Sequence, residues 1–154
     1  MLSLTELENA ATDAIRILQG LTEFSHARIA VAGEVALWRY LPQERRRRHI
    51  DFIIDIDSLP KPMKQKLLSL PGSPFVQEAR GFFYNHGGNR VRVEITPKWQ
   101  SSHMPAGALK IGNVQGGNLP YISRADLREF KGFYVQHGAS VTRGYAGATD
   151  ADLE

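Results

Sequence analysis

His49-Ile50-Asp51-Phe52-Ile53-Ile54-Asp55-Ile56-Asp57 alternates without interruption. Successive side chains of a strand point to opposite faces, so Ile50, Phe52, Ile54 and Ile56 share one face, and His49, Asp51, Ile53, Asp55 and Asp57 share the other. Period two with β-branched residues predicts a strand with one apolar and one polar face. Ser58 and Pro60 end it, and Arg45-Arg46-Arg47-Arg48 precede it.

Upstream, Ile29-Ala30-Val31-Ala32 reads as a buried strand that runs into a tight turn at Gly33. Residues 34–41 resume helical spacing, and Pro42 stops that helix. Further back, Leu4, Leu7, Ala11, Ala14, Ile15, Leu18 and Leu21 recur every three or four positions, the mark of an amphipathic helix. Ser3 or Thr5 can cap it, with Glu6 and Glu8 in its first turn.

Downstream, a short basic helix is expected over 62–70, ended by Pro71-Gly72. Strands follow over 75–86 and 90–96, joined by Gly87-Gly88-Asn89 as a hairpin. Val91, Val93 and Ile95 share one face of the second, and Arg92, Glu94 and Thr96 the other. Residues 97–118 read as a long loop holding Lys98, Trp99 and His103. A last helix is expected from Ser123, with Asp126 three residues on, to about residue 137. The order of elements gives an α/β (α+β) fold class, a small mixed β-sheet flanked by helices. One domain over 1–137 and a flexible tail over 138–154 are expected.

The chain has 154 residues, 42% of them apolar and 23% charged, which excludes collagen-like, coiled-coil and wholly disordered classes. It has no cysteine, so disulfide frameworks, thiolate metal sites and cysteine nucleophiles are ruled out. No apolar run reaches a membrane-spanning length. The acidic start lacks the features of a signal peptide, and a soluble, cytoplasmic protein is expected. Nineteen Lys and Arg against sixteen Asp and Glu give +3; taking the four consecutive arginines away leaves −1 for the rest. The basic excess is therefore local.

The chemistry-bearing residues concentrate between 32 and 55. Backbone N–H groups at the Gly33 turn can meet a phosphate, and Gly33 permits close approach. His49 and Asp51 lie on the polar face of one strand and Glu94 on that of another. Carboxylates and a histidine from neighbouring strands can hold an oxygen-seeking divalent cation or serve as an acid/base set. The same alternation is also what a solvated sheet face looks like, and a run of arginines can be a solvated loop.

Gly33-Glu34-Val35-Ala36-Leu37, a helix ending in Tyr40-Leu41, basic residues and then His49-Ile50-Asp51-Phe52-Ile53-Ile54 resemble the nucleotidyltransferase fold. The resemblance is to the small single-domain branch that includes minimal nucleotidyltransferases and abortive-infection toxins. That pattern has a Gly-Gly or Gly-Ser turn, a helix, an Arg-x-Thr stretch, Asp-x-Asp on a strand and a third carboxylate on a later strand, where Glu94 stands. The segment 119–131, from Leu119-Pro120 through Ser123-Arg124-Ala125-Asp126-Leu127 to Lys131, resembles the group's usual ending. The similarity spans about residues 5–137 in element order, with few motif residues.

The resemblance implies a magnesium-dependent, nucleotide-binding transferase. Asp51 and Glu94 would hold Mg²⁺, and the metal would orient an NTP for transfer of a nucleotidyl group. Gly33, Arg45, Arg47 and Lys131 would contact the nucleotide, with His49, Asp51, Glu94 and Glu34 as the catalytic set. The motif is also degenerate. His49 replaces the first acid, Glu34 stands where a small or hydroxyl residue is usual, and Arg47 replaces the Thr. Three readings follow: a divergent nucleotidyltransferase, a catalytically dead fold that binds partners such as nucleic acid through Arg45–Arg48, or a repurposed pocket doing small-molecule acid/base chemistry.

Overall fold

A computed structural model describes residues 3–40, 49–56, 60–98 and 104–126. Helix α1 (Leu4–Gln19) starts at a complete capping box: the Glu6 amide donates to Ser3 Oγ at 3.1 Å, and the Ser3 amide donates to Glu6 Oε1 at 3.3 Å. Its buried stripe is Leu7, Ala10, Ala11, Ala14, Ile15 and Leu18. Strand β1 (Arg28–Ala32) runs directly into α2 (Gly33–Tyr40). Strand β2 (His49–Ile54) follows, then α3 (Lys61–Ser69), β3 (Phe75–Glu78), β4 (Gly81–His86), β5 (Asn89–Pro97) and a short β6 (Leu109–Lys110).

The sheet order is β3-β4-β5-β2-β1-β6. β2 is parallel to β5, and every other pairing is antiparallel. β2 is therefore central and hydrogen-bonded along both edges. Ile50, Phe52 and Ile54 pack on the face that α1 covers, together with Ile29, Val31, Val91 and Val93. Ile53 packs on the other face with Ala30, Ala32, Ala36, Leu37, Met104 and Ile122. All six residues of β2 are buried. The odd-numbered face of β2 is thus not a solvated polar face. Its alternation reflects a second, smaller core in which two polar side chains are embedded, because α2 and the segment 104–122 cover that side.

Two other expectations change. The segment 75–86 is a pair of antiparallel strands, Glu78 facing Gly81 across a tight turn, with Phe75 stacked on Phe82 at 5.2 Å. A single strand of that length would have carried Phe75 away from the Phe82 ring that covers it. The Gly87-Gly88 hairpin is as expected, both glycines having positive φ and His86 facing Asn89.

Most of the expected loop over 97–118 is ordered covering structure. β6 pairs antiparallel along the edge of β1, Ile111–Asn113 form a 3-10 turn, and Met104, Ile111 and Val114 are buried. Gln19 Nε2 ties this segment to α1 by donating to the carbonyls of Ile111 (3.0 Å) and Val114 (2.7 Å). Beyond it, the Val31 amide donates to Pro120 O, and the Ile122 amide donates back to Val31 O. Ser123 accepts the Asp126 amide at 3.1 Å, the expected cap; the rest of that helix and the tail lie outside the described residues. No helix among the described residues is long and apolar enough to cross a membrane.

Candidate functional site

The central parallel pair brings the two candidate carboxylates together. Asp51 on β2 is in direct register with Glu94 on β5, and on its other side with Ala32, the last residue of β1. Register partners share a face, so Asp51 and Glu94 project on the same side of the sheet. The next residue after Ala32 is Gly33, which opens α2 with φ +63°. A Cβ at Gly33 would lie 1.8 Å from Asp51 Oδ2 and 2.7 Å from Asp51 Cβ. Glycine is required there on both counts, and the close approach that the turn permits is taken up by the chain's own Asp51.

Each carboxylate has a cationic or ionisable neighbour in its own strand. His49 Nε2 is 3.7 Å from Asp51 Oδ2, both groups almost fully covered: the residues are 7% and 2% exposed. Arg92, the register partner of His49, places Nε 2.9 Å from Glu94 Oε1. That distance makes an ion pair, yet the buried Nε makes no hydrogen bond among the described residues. The contact is therefore charge attraction without directional bonding, and at about a third exposure its worth is at most about 1 kcal/mol. The Arg92 guanidinium also lies over Gly81, where a Cβ would come within 3.1 Å of Nε.

The fold thus unites Gly33, His49, Asp51 and Glu94. Glu34 lies in the first turn of α2, but its side chain falls outside the described residues, as do Arg45, Arg47 and Lys131 and the whole Arg45–Arg48 run. Among the described residues no three His, Asp or Glu side chains converge as metal ligands. Asp51 and Glu94 supply two carboxylates, and the neighbouring position on the face of Asp51 is a histidine, His49, not a third acid. The described donor set does not fit two-metal chemistry. The sequence pattern puts Arg92 on the face of Glu94 and assigns it no role; the register sets it beside His49, with its guanidinium against the second carboxylate.

The helix leading away from Gly33 is anchored at its far end. The Tyr40 hydroxyl donates to Ile122 O at 2.6 Å, and the Arg124 guanidinium lies 5.2 Å from the Tyr40 ring centroid. Burial is the main cause of a phenol pKa raised above its ordinary value. Trp38 is half-buried against the larger core. Tyr40 packs likewise against the smaller core.

The chain was compared with protein-family models, curated proteins and solved structures, and it matches none of them.

Proposed function

We propose that this chain is a divergent nucleotidyltransferase-like protein whose acidic centre is occupied by the chain's own basic side chains, so that it works as a binding module and does not perform two-metal nucleotidyl transfer. One observation carries the reading. Asp51 and Glu94 stand side by side next to Gly33, as a nucleotidyltransferase-like centre requires, but His49 and Arg92 sit against them. An ion or triphosphate entering here would have to displace Asp51 from a nearly sealed position beside Gly33. The ligand we assign is phosphate-bearing, contacted by Arg45–Arg48, which lead directly into β2.

The juxtaposition of Asp51 and Glu94 also favours a second reading, a divergent nucleotidyltransferase that uses a divalent metal and an NTP. The two separate on one experiment: label incorporation and thermal shift with each NTP, with Mg²⁺ or Mn²⁺, for the wild type and Asp51→Asn. The binding-module reading expects no incorporation and no metal-dependent shift. Metal-dependent incorporation that Asp51→Asn abolishes would overturn it.

Two positive results are also expected. Labelled single-stranded RNA should bind in a salt-dependent way, losing roughly 50-fold in affinity between about 50 and 200 mM salt if four phosphates are neutralised. Replacing Arg45–Arg48 with alanine should abolish that binding. His49→Asp should place a second buried carboxylate beside Asp51, lowering stability without metal and creating stabilisation by Mg²⁺ with NTP.

A further inference from the structure

On the face of the sheet opposite Asp51, α1 forms one wall of a cleft of about 660 Å³. Its other walls are the end of α2 at Arg39, the end of β4 at His86, and residues 116–121. Gly116 and Gly117 leave part of the last wall without side chains, and Gly117 has φ +84°. The volume lies inside the range of about 300–1,000 Å³ typical of small-molecule sites.

The charges in the cleft are unevenly engaged. Asp13 is held between Arg16 Nη1 at 3.3 Å and His86 Nδ1 at 3.7 Å. Glu8 Oε2 accepts a 2.5 Å hydrogen bond from the Tyr121 hydroxyl, a neutral donor. Arg39 is exposed, and its guanidinium has no ion-pair partner among the described residues. Among the described residues, the cleft therefore presents one cation at α2 without an ion-pair partner and one carboxylate on α1 that is answered by a hydroxyl. Two Glu/Asp against two Arg make it nearly neutral in sum, which disfavours a polyanion such as a triphosphate.

We propose that this cleft binds a small molecule that carries one anionic group, taken by Arg39, and a hydrogen-bond-donating group, ammonium or hydroxyl, taken by Glu8. The Tyr121 bond fixes the orientation of Glu8, and the Arg16–Asp13–His86 contacts hold the rim. Guanidinium–carboxylate pairing gives the anionic end its direction.

The test is an NMR titration of the full chain with two probes, glutamine as a zwitterion and glucuronate as a hydroxyl-bearing acid, each up to ~10 mM, where millimolar dissociation constants are measurable. Saturable shifts with either probe are expected at residues of α1 and 116–121. Glutamine alone would identify an ammonium ligand, and glucuronate alone a hydroxyl ligand. Arg39→Ala, an exposed change, should weaken binding at least ten-fold, and Glu8→Gln should weaken glutamine more than glucuronate. Asp51→Asn should leave both unchanged, which separates this site from the acidic centre. Absence of saturable shifts with both probes, or binding that Arg39→Ala does not alter, overturns the proposal.

Discussion

Gly33→Ala tests the junction on which the candidate site is built. Two terms oppose an alanine there. The first is backbone strain: φ is +63°, and a residue with a Cβ costs about 1–2 kcal/mol in the left-handed region. The second is collision with Asp51, whose Oδ2, Cγ and Cβ would lie 1.8, 2.4 and 2.7 Å from the new methyl group. Rotating the carboxylate relieves the first two contacts but not the third, so β2 or α2 must shift. β2 is hydrogen-bonded on both edges and buried on both faces, and overpacking such a place costs about 1–3 kcal/mol. The sum is about 2–5 kcal/mol, or a Tm lowered by about 5–15 °C for a chain of this size.

Gly72→Ala is the internal control. Its φ is +65°, nearly the same, and nothing lies within 4 Å of its Cβ position. It shares the strain and the reduced freedom of the unfolded chain, so only the collision differs. Thermal and urea unfolding followed by circular dichroism should show Gly33→Ala less stable than Gly72→Ala by at least about 1 kcal/mol. Equal losses would refute the close approach of Asp51 to the α2 start.

Ser3→Ala removes the side-chain half of the α1 capping box and should cost about 1 kcal/mol in chemical denaturation. Ile53→Ala, on the odd-numbered face of β2, should cost about 2–5 kcal/mol because that face is core; a solvated face would give a change within about 0.5 kcal/mol. The Tyr121 phenol is held protonated, chiefly by burial and then by its bond to Glu8, so its pKa is raised above the ordinary 10.0. A raised folded-state pKa contributes stability that is full below pH 10.0 and lost as pH rises above it. Alkaline unfolding should accordingly be less steep in Tyr121→Phe, and equal pH slopes for the two proteins would contradict the assignment.

Much of the fold is legible in local pattern. The 3–4 spacing of Leu7, Ala11, Ala14, Ile15 and Leu18 specifies α1, Ser3 and Glu6 specify its start, and Gly87-Gly88 specifies a hairpin. These features depend on residues close in sequence, where propensity, capping and turn geometry act directly. The alternation of 49–57 likewise specifies a strand. It does not specify how many sides of that strand are covered, because the same pattern suits a solvated face or one packed against small residues. Ala30, Ala32 and Ala36 meet Ile53 only through pairing and through the path of residues 104–122.

The candidate site divides in the same way. The sequence alone determines that Gly33 ends a strand and opens a helix, that His49 and Asp51 share a face, and that Arg92 and Glu94 do. Tertiary structure alone decided that Asp51 faces Glu94, that its carboxylate fills the space beside Gly33, and that Arg92 pairs with Glu94. It also decided that Arg39 and Glu8, far apart in the chain, share one cleft. The reason is physical: strand pairing between residues some forty positions apart is set by the fit of the whole core, and no local pattern encodes which neighbour a strand will take.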